Sequence, residues 1–209
     1  MIRRSCLGAC ASCLLPIVVV AVALGVLYHQ LTTAPAYAPV APSPTAQVRA
    51  AVAQAVSQAR HGRTDVATIR LGDPEVTRLL RLSAGASPFT DLTARVEPGG
   101  VLVTGTLTPV QQRVVVSGRF GIRAGIGATI ALRPERIGIG LIGLPGVLDH
   151  LIAAALPAQL NLSQAAAAGP VQVLCVSAAA ALLLVEVRVV GLTGGGAAAG
   201  APICAGPGA

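Results

Sequence analysis

The chain has 209 residues, 54% of them apolar and 11% charged, with a formal charge of +7. That length supports one domain with a core of ordinary size, and two Phe, two Tyr and no Trp leave little to stack on bases or sugars, which argues against a nucleic-acid partner. Every basic residue is Arg, and with Arg3 and Arg4 set aside the excess is mild, compatible with anionic headgroups or wall polymers.

Arg3 and Arg4 precede an uncharged run from Ser5 to Tyr28, whose centre, Leu14 to Leu27, is almost wholly Leu, Ile, Val and Ala. A helix needs about 20 apolar residues to cross the hydrocarbon of a bilayer. The run therefore predicts a cytoplasmic stub and a transmembrane helix within residues 1–31. No Arg follows until Arg49, so the positive-inside rule puts the N-terminus in the cytoplasm and the rest outside the plasma membrane. Ala36-Tyr37-Ala38 and Ala34-Pro35-Ala36 have the small-x-small pattern of signal cleavage, which leaves secretion as the alternative. The length of the run and Pro39 behind the first site favour a retained, single-pass anchor.

Cys6, Cys10 and Cys13 lie at the cytoplasmic end of the run without a His or fourth ligand, and read as small apolar fillers. Cys175 and Cys204, the two cysteines of the exported part, are the disulfide candidate; unpaired, one is buried and the other sits in a loose tail. With three scattered His, no metal site and no cofactor are expected.

Residues 32–44 carry Pro35, Pro39, Pro42 and Pro44 and read as an extended spacer that holds the domain up to about 30 Å from the bilayer. From Thr45 the apolar residues Val48, Val52, Val56 and Ala59 share one face, predicting an amphipathic helix with Thr45 as N-cap and Gly62 near its end. A short strand, Val66 to Leu71, is followed by Asp73-Pro74-Glu75, read as N-cap, proline at the first helical position and first-turn acid of a helix to about Leu82.

After Ser87 the apolar period changes from 3.6 to 2. Leu92, Ala94 and Val96 alternate with polar residues; Pro98-Gly99-Gly100 turns the chain; Val101, Val103 and Leu107 follow, then Val114, Val116, Phe120 and Ile122. Ala128, Ile130 and Leu132 come next, and Pro134-Glu135 reads as a turn into Ile137, Ile139 and Leu141, giving five strands of an antiparallel meander. Leu144-Pro145-Gly146 opens a helix with Val147, Leu148, Leu151, Ile152 and Ala155 on its apolar face. Val171 to Val176 and Ala180 to Val190 read as strands, the last apolar on both faces and so asking for cover on each. Residues 191–209 are Gly, Ala and Pro without periodicity and read as a disordered tail.

The order of these parts carries a resemblance. An N-terminal anchor, L-G-D-P-E-V-T-R-L-L around a helix, hairpins around V-E-P-G-G-V-L-V-T-G-T-L, and G-L-P-G-V-L leading into an apolar helix resemble bacterial anchored domains of the tubular lipid-binding (TULIP-like) superfamily. The resemblance covers about Thr45 to Val190 and rests on Gly, Pro and apolar positions. It implies an α+β domain over residues 45–190, an antiparallel meander curled around amphipathic helices, with an elongated groove for acyl chains.

Enzyme readings find no support in the motifs. Gly138, Gly140 and Gly143 spell G-x-G-x-x-G, but the surrounding strands form hairpins and no acid follows at the ribose position. Glycines that let a strand bend or a helix pack closely explain the pattern better. Asp149 and His150 are adjacent without a nucleophile motif to join them. The expectation is a non-catalytic domain that binds membrane lipid or another apolar ligand through Val114, Val116, Phe120, Ile130, Leu132, Ile139, Leu148, Leu151, Leu183 and Val185. Arg113, Arg119 and Arg123 share a strand face and are the headgroup candidates, against the plainer reading of a solvated face. The alternative is an envelope-associated module that binds a protein partner and whose apolar faces pack on one another.

Overall fold

The computed structural model describes residues 5–33, 39–62, 64–85, 87–107, 114–140, 142–143, 156–164 and 171–191. The apolar helix expected from Leu144 and the tail from residue 192 lie outside the described residues. Helix α1, Ser5–Thr32, has 28 residues. Its side chains are described from Val18 onwards, and Val18 to Gln30 are exposed. Among the described residues no helix is long and apolar enough to cross a membrane.

Helix α2, Thr45–His61, buries Val48, Val52, Ala55, Val56 and Ala59, the face that the 3.6 period predicts. Its N-cap is Pro44, and Thr45 makes no capping bond. The Thr45 hydroxyl instead accepts from Arg78 Nε at 2.7 Å, tying α2 to helix α3, Asp73–Ala84. Strand β1, Val66–Gly72, leads directly into α3. The N-cap of α3 is Gly72, one residue before the expected Asp73, and its N–H donates to Glu75 Oε2 at 3.0 Å. That leaves the Asp73 carboxylate for another partner.

Strands β2, Phe89–Glu97, β3, Gly100–Leu107, β4, Val114–Ala124, and β5, Thr129–Ile139, form an antiparallel meander, continued by the two-residue β6, Ile142–Gly143. The sheet curls into a half-barrel, so the fold is α+β with a curled antiparallel sheet. The turn expected at Pro134-Glu135 is absent. Phe120 pairs with Pro134 and Arg119 with Arg136, so Glu135 is an extra residue, a bulge that absorbs the proline within one 11-residue strand. Strand β7, Gln159–Asn161, pairs with the start of β5, and a 3-10 turn over Leu162–Gln164 follows.

The second sheet has the order β1-β9-β8, with β8 Val171–Ala179 and β9 Leu182–Val189. Only one face is fully covered: Leu183, Val185 and Val187 are buried, whereas Leu182 and Leu184 on the other are half-buried. The hairpin between β8 and β9 has no glycine and turns at Ala180 and Ala181, the latter left-handed at φ 58°. A Cβ is disfavoured in that region, so Ala181→Gly is expected to stabilise the domain by about 0.5–1 kcal/mol in urea unfolding. An unchanged midpoint would mean that the turn relaxes at no cost.

The edge of β2 is closed by α3. Asp73 Oδ1 accepts from Val96 N–H at 2.7 Å, Thr77 Oγ1 both donates to Ala94 O at 3.0 Å and accepts from Ala94 N–H at 2.9 Å, and Arg81 Nε donates to Leu92 O at 2.7 Å. The spacing has a geometric cause. Four helical residues advance about 6 Å and two strand residues about 6.6 Å, so positions i, i+4 and i+8 of α3 keep step with alternate residues of β2. Between the sheets, Val76, Leu79 and Leu80 of α3 join Val116, Phe120, Ile130, Leu132, Leu183 and Val185 in one core.

Candidate functional site

Of the ten residues expected to line a groove, Val116, Phe120, Ile130, Leu132, Leu183 and Val185 are each at most 5% exposed and belong to the common core. Ile139 is half-buried against that core, and Val114 is half-buried at the start of β4. Leu148 and Leu151 lie outside the described residues. Depressions on the described surface include two of note. One, of about 550 Å³, runs between α2 and β1; the other, of about 300 Å³, lies on the convex face of the curled sheet. None of the eight described residues among the ten lines either.

The second depression is where a headgroup candidate sits. Register puts Arg95, Leu102, Arg119 and Arg136 in one row across β2, β3, β4 and β5. Leu102 is only 9% exposed although it faces away from the core, and it is flanked in the row by arginines whose long stems suit covering apolar surface. Arg119, Arg136, Leu102, Ser117, Gly138, Gly140 and Ile142 line the hollow. Arg119 Nε pairs with Glu135 Oε2 at 3.3 Å, and its Nη2 donates to Pro98 O at 3.1 Å. Arg136 makes no ion pair among the described residues. Arg123 is exposed on the same strand face but four residues further along β4, and Arg113 lies outside the described residues.

The hollow lies beside the end of α1. Gly140 is left-handed at φ 58°, and a Cβ there would overlap the carbonyl oxygens of Gln30 and Leu31. The helix end thus approaches the sheet through a position that only glycine can fill. Of the G-x-G-x-x-G glycines, Gly140 thus lets a helix, α1, pack closely, whereas a Cβ at Gly138 would meet Ile142 O and Ser117 Oγ. At the other end of the spacer, Ser43 is buried and its N–H donates to Pro74 O at 3.1 Å. The end of α1 is thus in direct contact with the sheet, while residues 34–38 of the expected spacer lie outside the described residues.

Arg136 was not among the candidates because a turn at Pro134-Glu135 would have placed it at a strand start with no partner. The bulge brings it opposite Arg119. Like charges directly opposite destabilise a sheet; Glu135 pairs with Arg119, and Glu97 lines the same hollow.

Cys175 is disulfide-bonded; Cys204, its expected partner, lies outside the described residues. Cys175 Sγ is 3.1 Å from Glu186 Oε2, a contact and not a thiol hydrogen bond once the sulfur is oxidised. No group of three His, Cys, Asp or Glu is placed to hold a metal among the described residues. No protein-family model matches this chain, and neither a curated protein nor a solved structure gives a match.

Proposed function

We propose that the chain is a single-pass, membrane-anchored domain outside the cytoplasm that holds an anionic lipid headgroup, without catalysis, in the Arg119–Arg136 hollow. The observation that carries this reading is the approach of α1 to Gly140 on the rim of that hollow. If the apolar run of α1 lies in the bilayer, the arginine pair stands at the headgroup level, where phosphate is abundant and the dielectric is below that of water. Arg136 and Arg119 bind the phosphate, and Ser117 borders the same hollow as a hydroxyl donor. The curled sheet is also what the tubular lipid-binding resemblance asks for. The anchor is checked by alkaline extraction of membranes, which is expected to leave the full chain with the bilayer; recovery in the supernatant would remove the basis for the headgroup site.

The headgroup site is checked by native mass spectrometry of the full chain extracted in mild detergent from bilayers of phosphatidylcholine and phosphatidylglycerol. Retained phosphatidylglycerol is expected to fall about tenfold in Arg119→Glu/Arg136→Glu, the loss of two charge-assisted contacts. Equal retention by wild type and double variant would sink the reading. A second reading, a protein-interaction module with a packed interior, is favoured by the burial of six expected groove residues in the core. It gains if the chain is lipid-free after extraction.

A further inference from the structure

The edges of the two sheets are treated differently. The edge of β2 is taken by Asp73, Thr77 and Arg81, and by Ala181, whose N–H donates to Val96 O at 3.1 Å. The edge of β8 receives two turns of the other sheet: Val173 N–H donates to Gly127 O at 2.7 Å, and Gly99 N–H to Ala178 O at 3.2 Å. Strand β1 has β9 on one side and a groove on the other.

The phase of β1 follows from one bond. Val189 N–H donates to Asp65 O at 2.8 Å, which makes that pair a hydrogen-bonded one, so Ala67, Ile69 and Leu71 also direct their backbone groups at β9. Val66, Thr68 and Arg70 direct theirs the other way. Val66 O accepts from Thr64 Oγ1 at 3.0 Å, and Gly72 N–H is capped by Glu75. Between these stops, the N–H and C=O of Thr68 and of Arg70 have no partner among the described residues. Val66, Thr68 and Arg70 all line the groove of about 550 Å³ whose far wall is α2. On that wall Ala51, Ala55 and Ala59 recur every four residues, so side chains on one helix face leave room beside the strand.

We infer that this groove takes an extended segment of a partner protein as an added strand beside β1. An open row of backbone donors and acceptors selects an extended polypeptide over any other ligand class. The stretch from Val66 to Arg70 spans about 13 Å, enough for about five residues. Among the described residues Arg70 is the single charged residue of the lining, is exposed, and makes no ion pair. The segment therefore carries an acidic side chain opposite Arg70. Its side chains toward α2 are small or polar, since they meet Ala51, Ala55 and Ala59 with Gln54 and Gln58 between them. The site is on a different sheet from the arginine hollow and does not depend on the lipid reading.

The experiment uses the full chain, nitrogen-15 labelled in detergent, and the blocked peptide Ser-Val-Thr-Glu-Thr-Val-Ser. Saturable shifts are expected at the amides of Thr68 and Arg70. The same peptide N-methylated through its central residues is expected to bind about tenfold more weakly, because it cannot complete the ladder. Glutamate-to-lysine exchange in the peptide is expected to weaken binding several-fold through Arg70. Gln54→Trp fills the groove from the α2 side, leaves β1 untouched and is expected to abolish the shifts; Thr68→Pro removes an edge donor and is expected to do the same. Gln54→Trp decides alone if the proline variant does not fold. Absence of shifts at millimolar peptide, or equal binding of the N-methylated peptide, would overturn the proposal.

Discussion

Phe120→Ala is expected to cost about 3–5 kcal/mol of stability, the largest single loss in the core. The ring is 2% exposed and fills the centre of the curled sheet, where Phe120 pairs with Val101 on one side and Pro134 on the other. Its position depends on a neighbour two residues away. A Cβ added at Gly118 would lie 2.7 Å from Phe120 Cε2, so the ring lies over the space that glycine leaves. Gly118→Ala alone is thus expected to destabilise by about 1–3 kcal/mol through overpacking. In the Phe120→Ala background the same change meets no ring and gains strand propensity, so it is expected to be neutral or stabilising. Urea unfolding of the four proteins of this cycle measures the coupling. Additive losses would show that the ring and the glycine are independent.

Thr77→Val is expected to cost about 2–4 kcal/mol, although it conserves shape, because it leaves two backbone groups of Ala94 buried without partners. Thr77 is fully buried and Ala94 is 1% exposed, so water does not replace the lost hydroxyl. Thr77→Ser keeps the hydroxyl and removes a methyl, and is expected to cost about 1 kcal/mol. Hydrogen exchange adds a local readout, since the Ala94 amide should lose protection in the valine variant before its neighbours do. Equal stability of the valine and serine variants would mean that α3 holds β2 through packing alone.

The alternation of Leu92, Ala94 and Val96 and of Val114, Val116 and Phe120 made the meander legible, because period 2 is set by the strand backbone itself. The 3.6 period did the same for α2. What alternation does not say is what covers the apolar side. Val116, Phe120 and Ile130 were readable as inward-facing, but a core and a ligand groove use the same residues, and the choice between them depends on how closely the second sheet approaches. Pro134 illustrates a second blind spot. A proline followed by an acid signals a turn locally, yet a bulge accommodates both when flanking strand pairs on either side hold the register. That single ambiguity hid Arg136, and with it half of the arginine pair. Asp73 shows a third: its fit to a helix start was visible, but its partner, Val96, is 23 residues away and is chosen by tertiary packing.

The ladder of Asp73, Thr77 and Arg81 against β2 has a consequence for how this chain can vary. Substitutions at α3 positions outside the ladder leave its spacing intact. Deleting one residue between Asp73 and Arg81 rotates everything beyond it by about 100° and shortens the reach by about 1.5 Å, so at least one of the three side chains swings away from the strand. Adding one residue does the same in the opposite sense, whereas a whole extra turn restores direction but overshoots along the strand. The segment from 73 to 81 therefore behaves as a ruler: its composition is free within limits, and its length is not.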